Sequence, residues 1–156
     1  MDLRERIAAA TKEAMKSRDA ARLSTLRLIG AGIKDREIAA RGEPGNEGAD
    51  GLREEDLVAL LSKMVKQRQE SARAFEEGGR IELAEREQAE ITVIQEFLPR
   101  QLDDAEVAAA LDRVIADLGA SSVRDMGRVM GELRARHAGQ MDFGAVGALV
   151  KSRLMG

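Results

Sequence analysis

"KMVKQRQESARAFEEGGR", residues 63–80, is the stretch whose reading decides the fold. At about 100° per residue, Leu57, Leu60, Leu61, Met64 and Phe75 gather on one face of a helix that starts near Glu54. Arg68 and Ser71 fall on that same face. Gly78 and Gly79 end the helix. The next helix, 81–97, has Leu83, Ile91, Ile94 and Leu98 on its apolar face, with Glu87 near the middle and Glu90 at the edge. It stops ahead of Pro99. A tight glycine turn packs these two helices antiparallel. Arg68 lies about ten residues before the turn and Glu87 about eight after it, nearly level at about 1.5 Å rise per residue. An arginine on an apolar face needs a counter-charge, so Arg68 is predicted to pair with Glu87 or Glu90. Such a pair sets packing register and is expected to be structural.

Working outward, β-branched and aromatic residues are sparse, Ala, Leu, Glu and Arg are abundant, and no segment alternates with period two. The fold class is therefore all-α. A first helix covers 2–17, with Leu3, Ile7, Ala10 and Ala14 as a narrow stripe. Asp19 can cap a second helix over 20–41, whose apolar residues are Leu26, Ile29, Ile33 and Ile38. A Gly-rich loop follows at 42–52, with Gly42, Pro44, Gly45, Gly48 and Gly51. Leu52 and Leu57 are spaced as a hydrophobic staple, although Arg53 is a poor cap. These four helices predict an N-terminal domain over 1–98. A linker at 99–103 leads to a capping box, Asp103 with Glu106. A C-terminal three-helix domain over 104–156 follows, its helices at 104–118, 123–137 and 143–155, the last two capped by Ser122 and Asp142. It is near the lower size limit for independent folding.

Composition narrows the chemistry. The chain has 156 residues and a net charge of −3, so nucleic-acid binding cannot be argued from bulk charge. It has no Cys, which removes disulfides, thiolate metal sites and Cys nucleophiles together. It has one histidine, His137, no Trp or Tyr, and three Phe. Base stacking on aromatics, the usual grip on single strands, has almost nothing to work with. No cofactor is expected. The N-terminal residues have no apolar h-region and no apolar run approaches the ~20 residues of a membrane span. The expectation is a cytoplasmic protein without membrane contact.

"LRLIGAGIKDREI" (26–38), "KMVKQRQESARAFEEGGRIELAEREQAEI" (63–91), "FLPRQL" (97–102) and "DMGRVMGEL" (125–133) stand in that order, followed by a final "GQMDFGAVGALVKSRL". Together they resemble the YqeY-like family, also called GatB/YqeY, over nearly the whole chain. That family is similar to the tail region of the B subunit of the tRNA-dependent amidotransferase. The resemblance implies a bipartite all-α layout and a role as a tRNA-binding or accessory module. It also implies an association with a carbon–nitrogen ligase that uses glutamine as amido donor. Its partners would be tRNA and an amidotransferase or other tRNA-handling enzyme.

Catalysis by this chain alone is not expected. Glutaminase centres use Cys–His or Ser–Ser–Lys arrangements. Here Ser62-Lys63 and Ser121-Ser122 read as helix-surface and capping residues, and nothing resembles a phosphate-binding loop. The candidate RNA-binding residues are Arg124, Arg128, Arg134, Lys151 and Arg153. With Arg136 they face Asp125, Glu132 and Asp142 within 119–156, six cations against three anions. Gly127 and Gly131 share a side of one helix, and Gly144 and Gly147 lie in the next. Each costs roughly 1 kcal/mol relative to Ala, offset either by close helix packing or by close approach of an RNA backbone. Lys63, Lys66 and Arg73 share a face with Glu70 and Glu77 and read as a solvated salt-bridge face. So do Arg27 and Lys34 on the second helix. Arg80 stands at a helix start, and His137 near a helix end. The alternative function is a protein–protein adaptor with no RNA contact, its grooves lined by Met126, Met130 and Met141.

Overall fold

The computed structural model describes residues 1–42 and 52–155. The loop residues Pro44, Gly45, Gly48 and Gly51 lie outside that range. The described residues are all-helical: α1 Leu3–Ser17, α2 Ala20–Arg41, α3 Glu54–Glu77, α4 Ile81–Gln95, α5 Asp104–Leu118, α6 Met126–Arg136 and α7 Phe143–Met155. A 3₁₀ turn, Val123–Asp125, leads into α6. The chain groups into two compact units, Met1–Leu98 and Pro99–Gly156.

In the N-terminal unit the helix ends are closed by side chains. Asp2 accepts from the Glu5 N–H at 2.8 Å and Asp19 from the Arg22 N–H at 3.1 Å. Between them Arg18 sits at φ 56°, the left-handed end of α1. The Glu54 carboxylate accepts from the Leu3 N–H at 3.0 Å, tying the start of α3 to the start of α1. The Arg53 side chain, a donor only, cannot accept a hydrogen bond from the helix start. Instead Asp56 reaches back to the Arg53 N–H at 3.0 Å, half of a capping box. Leu26, Ile29, Leu57, Leu61, Ile91 and Ile94 fill the core, with Leu52 packed at its edge. Arg6 donates to the Glu96 carbonyl at 3.0 Å and lies over the Phe97 ring, and Arg22 pairs with the Glu96 carboxylate. These contacts close α4 at Gln95, two residues before the 97 expected from sequence, and turn Phe97 into the core.

The α3–α4 connection is a Schellman turn. The Arg80 N–H bonds the Phe75 carbonyl at 2.7 Å and the Gly79 N–H bonds the Glu76 carbonyl at 3.1 Å. Gly79 has φ 75°, open to glycine at no steric cost.

In the C-terminal unit Asp103 and Glu106 form the reciprocal capping box, at 2.8 and 3.2 Å. Arg100 pairs with Glu106 at 2.6 Å, and that guanidinium lowers the Glu106 carboxyl to about 2. The 99–103 stretch expected as a linker is bonded into this unit. The Leu102 N–H donates to the Gln140 carbonyl at 2.9 Å and the Gln140 amide to the Arg100 carbonyl at 3.2 Å. Leu111, Val114, Val129, Leu133 and Val150 make the second core.

Candidate nucleic-acid interface

The 3₁₀ turn and α6 form the site. Ser121 and Ser122 donate their N–H groups to the Asp125 carboxylate at 2.9 and 3.3 Å, and Arg128 donates to its other oxygen at 2.9 Å. The Ser121 N–H, then Arg128, then the Ser122 N–H hold the Asp125 carboxyl down at about 2. Asp125 thus ties the entry to α6 and fixes Arg128 along the helix. The S-x-x-D spacing of Ser122 and Asp125 is the sequence signal that could have found it.

One side of α6, Val129, Met130 and Leu133, is buried. The other side, Gly127, Arg128, Gly131 and Arg134, is exposed. These four recur at three- and four-residue spacing, so they form one stripe. A Cβ added at Gly127 or Gly131 would meet nothing within 4 Å. Helix packing therefore does not account for these two glycines. At Gly147 an added Cβ would meet the Met126 and Met130 methyls at 3.8 and 3.9 Å, ordinary van der Waals contact. The Asp142 side chain accepts from the Gly144 N–H at 3.0 Å.

The five candidate cations divide into two groups. Arg128 is paired with Asp125, and Arg153 with Asp112. Arg124 and Lys151 are exposed and make no ion pair among the described residues, and Arg134 only lies over the Phe143 ring at 5.8 Å. Arg136 bonds Asp117 and Glu132, both at 2.8 Å. The charge balance over 119–156 leaves out the α5 acids that neutralise Arg136 and Arg153. Over the whole unit, 99–156, eight cations meet eight anions. The exposed cations without an ion pair among the described residues are Arg113, Arg124, Arg134 and Lys151, while Arg128 shares its charge with Asp125.

Met130 and Met141 are 7% and 8% exposed and belong to the core, with Met126 packed against it. The methionine-lined groove expected for an adaptor is thus filled. His137 Nδ1 lies 3.1 Å from Gln140 Oε1.

In the N-terminal unit Arg68 Nε donates to Glu90 at 2.8 Å, and its Nη1 donates to the Met64 carbonyl at 3.2 Å. The two side chains are 16% and 32% exposed. Glu87 is half-buried and has no ion pair among the described residues. Arg80 offers α4 no side-chain cap. The Ser62 hydroxyl is buried without a hydrogen-bond partner among the described residues, not on the surface as its sequence context implied. Arg27 lines a shallow recess of about 360 Å³ with Ala20, Leu23, Ser24 and Leu28.

Comparison with known proteins bears on the whole chain. The family model described as Yqey-like protein matches residues 4–154. Among curated proteins, "Altered inheritance of mitochondria protein 41, mitochondrial" of Lachancea thermotolerans is 34% identical over 71% of this chain and 57% of its own length. Its namesake in Eremothecium gossypii is 33% identical over 69% and 56%, and that in Saccharomyces cerevisiae 28% over 78% and 65%. The chain thus spans less than two thirds of the length of these relatives. Their names correct the cytoplasmic expectation, since they are mitochondrial proteins. The physical reason is that a missing h-region bears only on secretion, whereas organelle-targeting segments are amphipathic and Arg-rich.

Proposed function

The chain belongs to the YqeY-like family, and from that footing we propose that it is a non-catalytic tRNA-binding module, accessory to a glutamine-dependent tRNA amidotransferase or another tRNA-handling enzyme. The observation that carries this reading is the exposed α6 stripe, two uncovered glycines between arginines. Each glycine weakens the helix by roughly 1 kcal/mol relative to Ala, and no neighbour in the unit uses the space gained. A sugar-phosphate backbone would. Arginine forks match phosphates bidentately, and the missing side chains let the helix backbone approach. With no Trp or Tyr to stack on bases, the contact follows the shape and backbone of folded RNA. The choice of tRNA as the RNA rests on the resemblance to the amidotransferase B-subunit tail expected from the sequence motifs. Ligase chemistry would belong to the complex. Residues 1–98 and 104–156 are proposed as separately folding domains.

Titration with deacylated bulk tRNA at two salt concentrations tests the reading, beside an Arg124→Ala/Arg128→Ala variant. Saturable binding is expected. It should weaken steeply with salt and fall about tenfold in the variant, which removes two phosphate-binding cations. Absence of binding at low salt would sink it. The adaptor reading has one observation in its favour, the recess beside the exposed Leu28 on α2. It predicts a partner whose affinity barely responds to salt and falls in Leu28→Ser.

A further inference from the structure

The α3–α4 hairpin runs on past its own core. The apolar cluster of the N-terminal unit ends at Val65 on α3 and Ile91 on α4. Of residues 67–90 only Ala72 and Ala84 are buried, and neither belongs to that cluster. At about 1.5 Å per residue, Val65 to Glu77 spans about 18 Å. This length is an arm packed on itself, clamped at its base by Arg68–Glu90 and closed at its tip by the Schellman turn. Seven Glu against four Arg give residues 67–90 a net charge of −3, the same as the whole chain. Glu76, Glu77, Glu82 and Glu85 are exposed and make no ion pair among the described residues. Ile81, at the tip, is 53% exposed. Arg73, Arg80 and Arg86 are exposed as well, and the arm is net acidic, which disfavours phosphates.

The chain itself contains a surface that complements it. On the outer side of α4, Glu82, Glu85 and Ala89 share one stripe at i, i+3 and i+7, with the exposed Arg86 beside them, so the face is net acidic rather than uniformly so. On α6, Arg128 and Arg134 flank Gly127 and Gly131, with Arg124 one turn earlier. Helices approach to about 8 Å only where the contact side chains are small, and Ala89 over the two glycines meets that condition. We propose that the α4 face of the arm of one copy docks on the α6 face of a second copy, Glu82 and Glu85 against the arginines. Reciprocal docking about a two-fold axis closes the assembly as a dimer. The proposal goes beyond the tRNA reading and stands without it.

Sedimentation equilibrium of the full chain without RNA, at low and high salt, tests it. The variants are Glu82→Lys/Glu85→Lys on the arm and Arg124→Glu/Arg134→Glu on α6, all at exposed positions, with circular dichroism to verify folding. The wild type is expected to dimerise at low salt. High salt, or either variant alone, weakens dimerisation by about tenfold or more, as removal of facing charges does. Mixing the two variants restores it, because the reversed arm meets the reversed face and the native arm meets the native face. A wild type that stays monomeric at low salt overturns the proposal, including the case in which a foreign cationic protein occupies the arm. So does dimerisation that survives both reversals, or a mixture that fails to restore it. Binding of tRNA is scored separately, so either idea can fail alone.

Discussion

An arginine set among leucines has to be neutralised, and Arg68 is, by Glu90 at 2.8 Å and the Met64 carbonyl. At 16% and 32% exposure the pair lies between a surface bridge, worth about 0–1 kcal/mol, and a fully buried one, whose breaking costs about 3–5 kcal/mol. Arg68→Ala is expected to cost about 1–3 kcal/mol in urea unfolding. Adding Glu90→Ala is expected to cost little more, since the partners act as one. An Arg68→Ala curve that overlays the parent would reject this. A second residue-scale effect concerns acid. The Asp125 carboxyl is held at about 2 in the fold against an ordinary 3.8. Its folded value is lowered, so its stabilisation is complete above about 4 and disappears as pH falls through about 2. The stability gap between wild type and Asp125→Asn should therefore close across that window, read by unfolding at a series of pH values. That Arg68 needed a partner was legible from the 3.6 period alone. Asp117 and Asp112, the α5 partners of Arg136 and Arg153, were not, because no spacing along one helix points to another.

At the scale of elements, the hairpin was readable because two signals agree: a helical apolar stripe on both sides and a paired glycine between. The uncovered side of α6 was not. Glycines four apart look the same in sequence whether a neighbouring helix covers them or solvent does, and only the open space above Gly127 and Gly131 distinguishes the cases. This yields an opposed pair of effects. Gly131→Ala is expected to raise stability by about 1 kcal/mol, the helix-propensity difference, with no clash to offset it. The same change is expected to weaken tRNA binding, because the added methyl holds the backbone away. Stability from thermal melts and affinity from titration should move in opposite directions. If both rise, the glycines are not there for a ligand.

For the molecule as a whole, each unit has its own apolar cluster and its own caps. Leu133, with no exposed surface, is central to the second. Leu133→Ala is expected to cost about 2–5 kcal/mol and to speed amide exchange across α5–α7 while leaving α1–α4 unchanged. Exchange that accelerates everywhere would mean one cooperative molecule. The distribution of charge also belongs to this scale: the C-terminal unit is neutral, so the chain's −3 resides wholly in the N-terminal unit. A window confined to 119–156 hides that balance, because the compensating acids lie earlier, on α5.

The bonds that hold α1 have a temporal meaning. Leu3 is tied to Glu54 and Arg6 to Glu96, across 51 and 90 positions of chain. A ribosome delivers residues in order, so these two ties of α1 form only after α3 and α4 have been made. α1 can pack on α2 as soon as both are out, helped by Arg4–Glu37, but the two ties must wait, while the α3–α4 hairpin, built from near neighbours, can close at once.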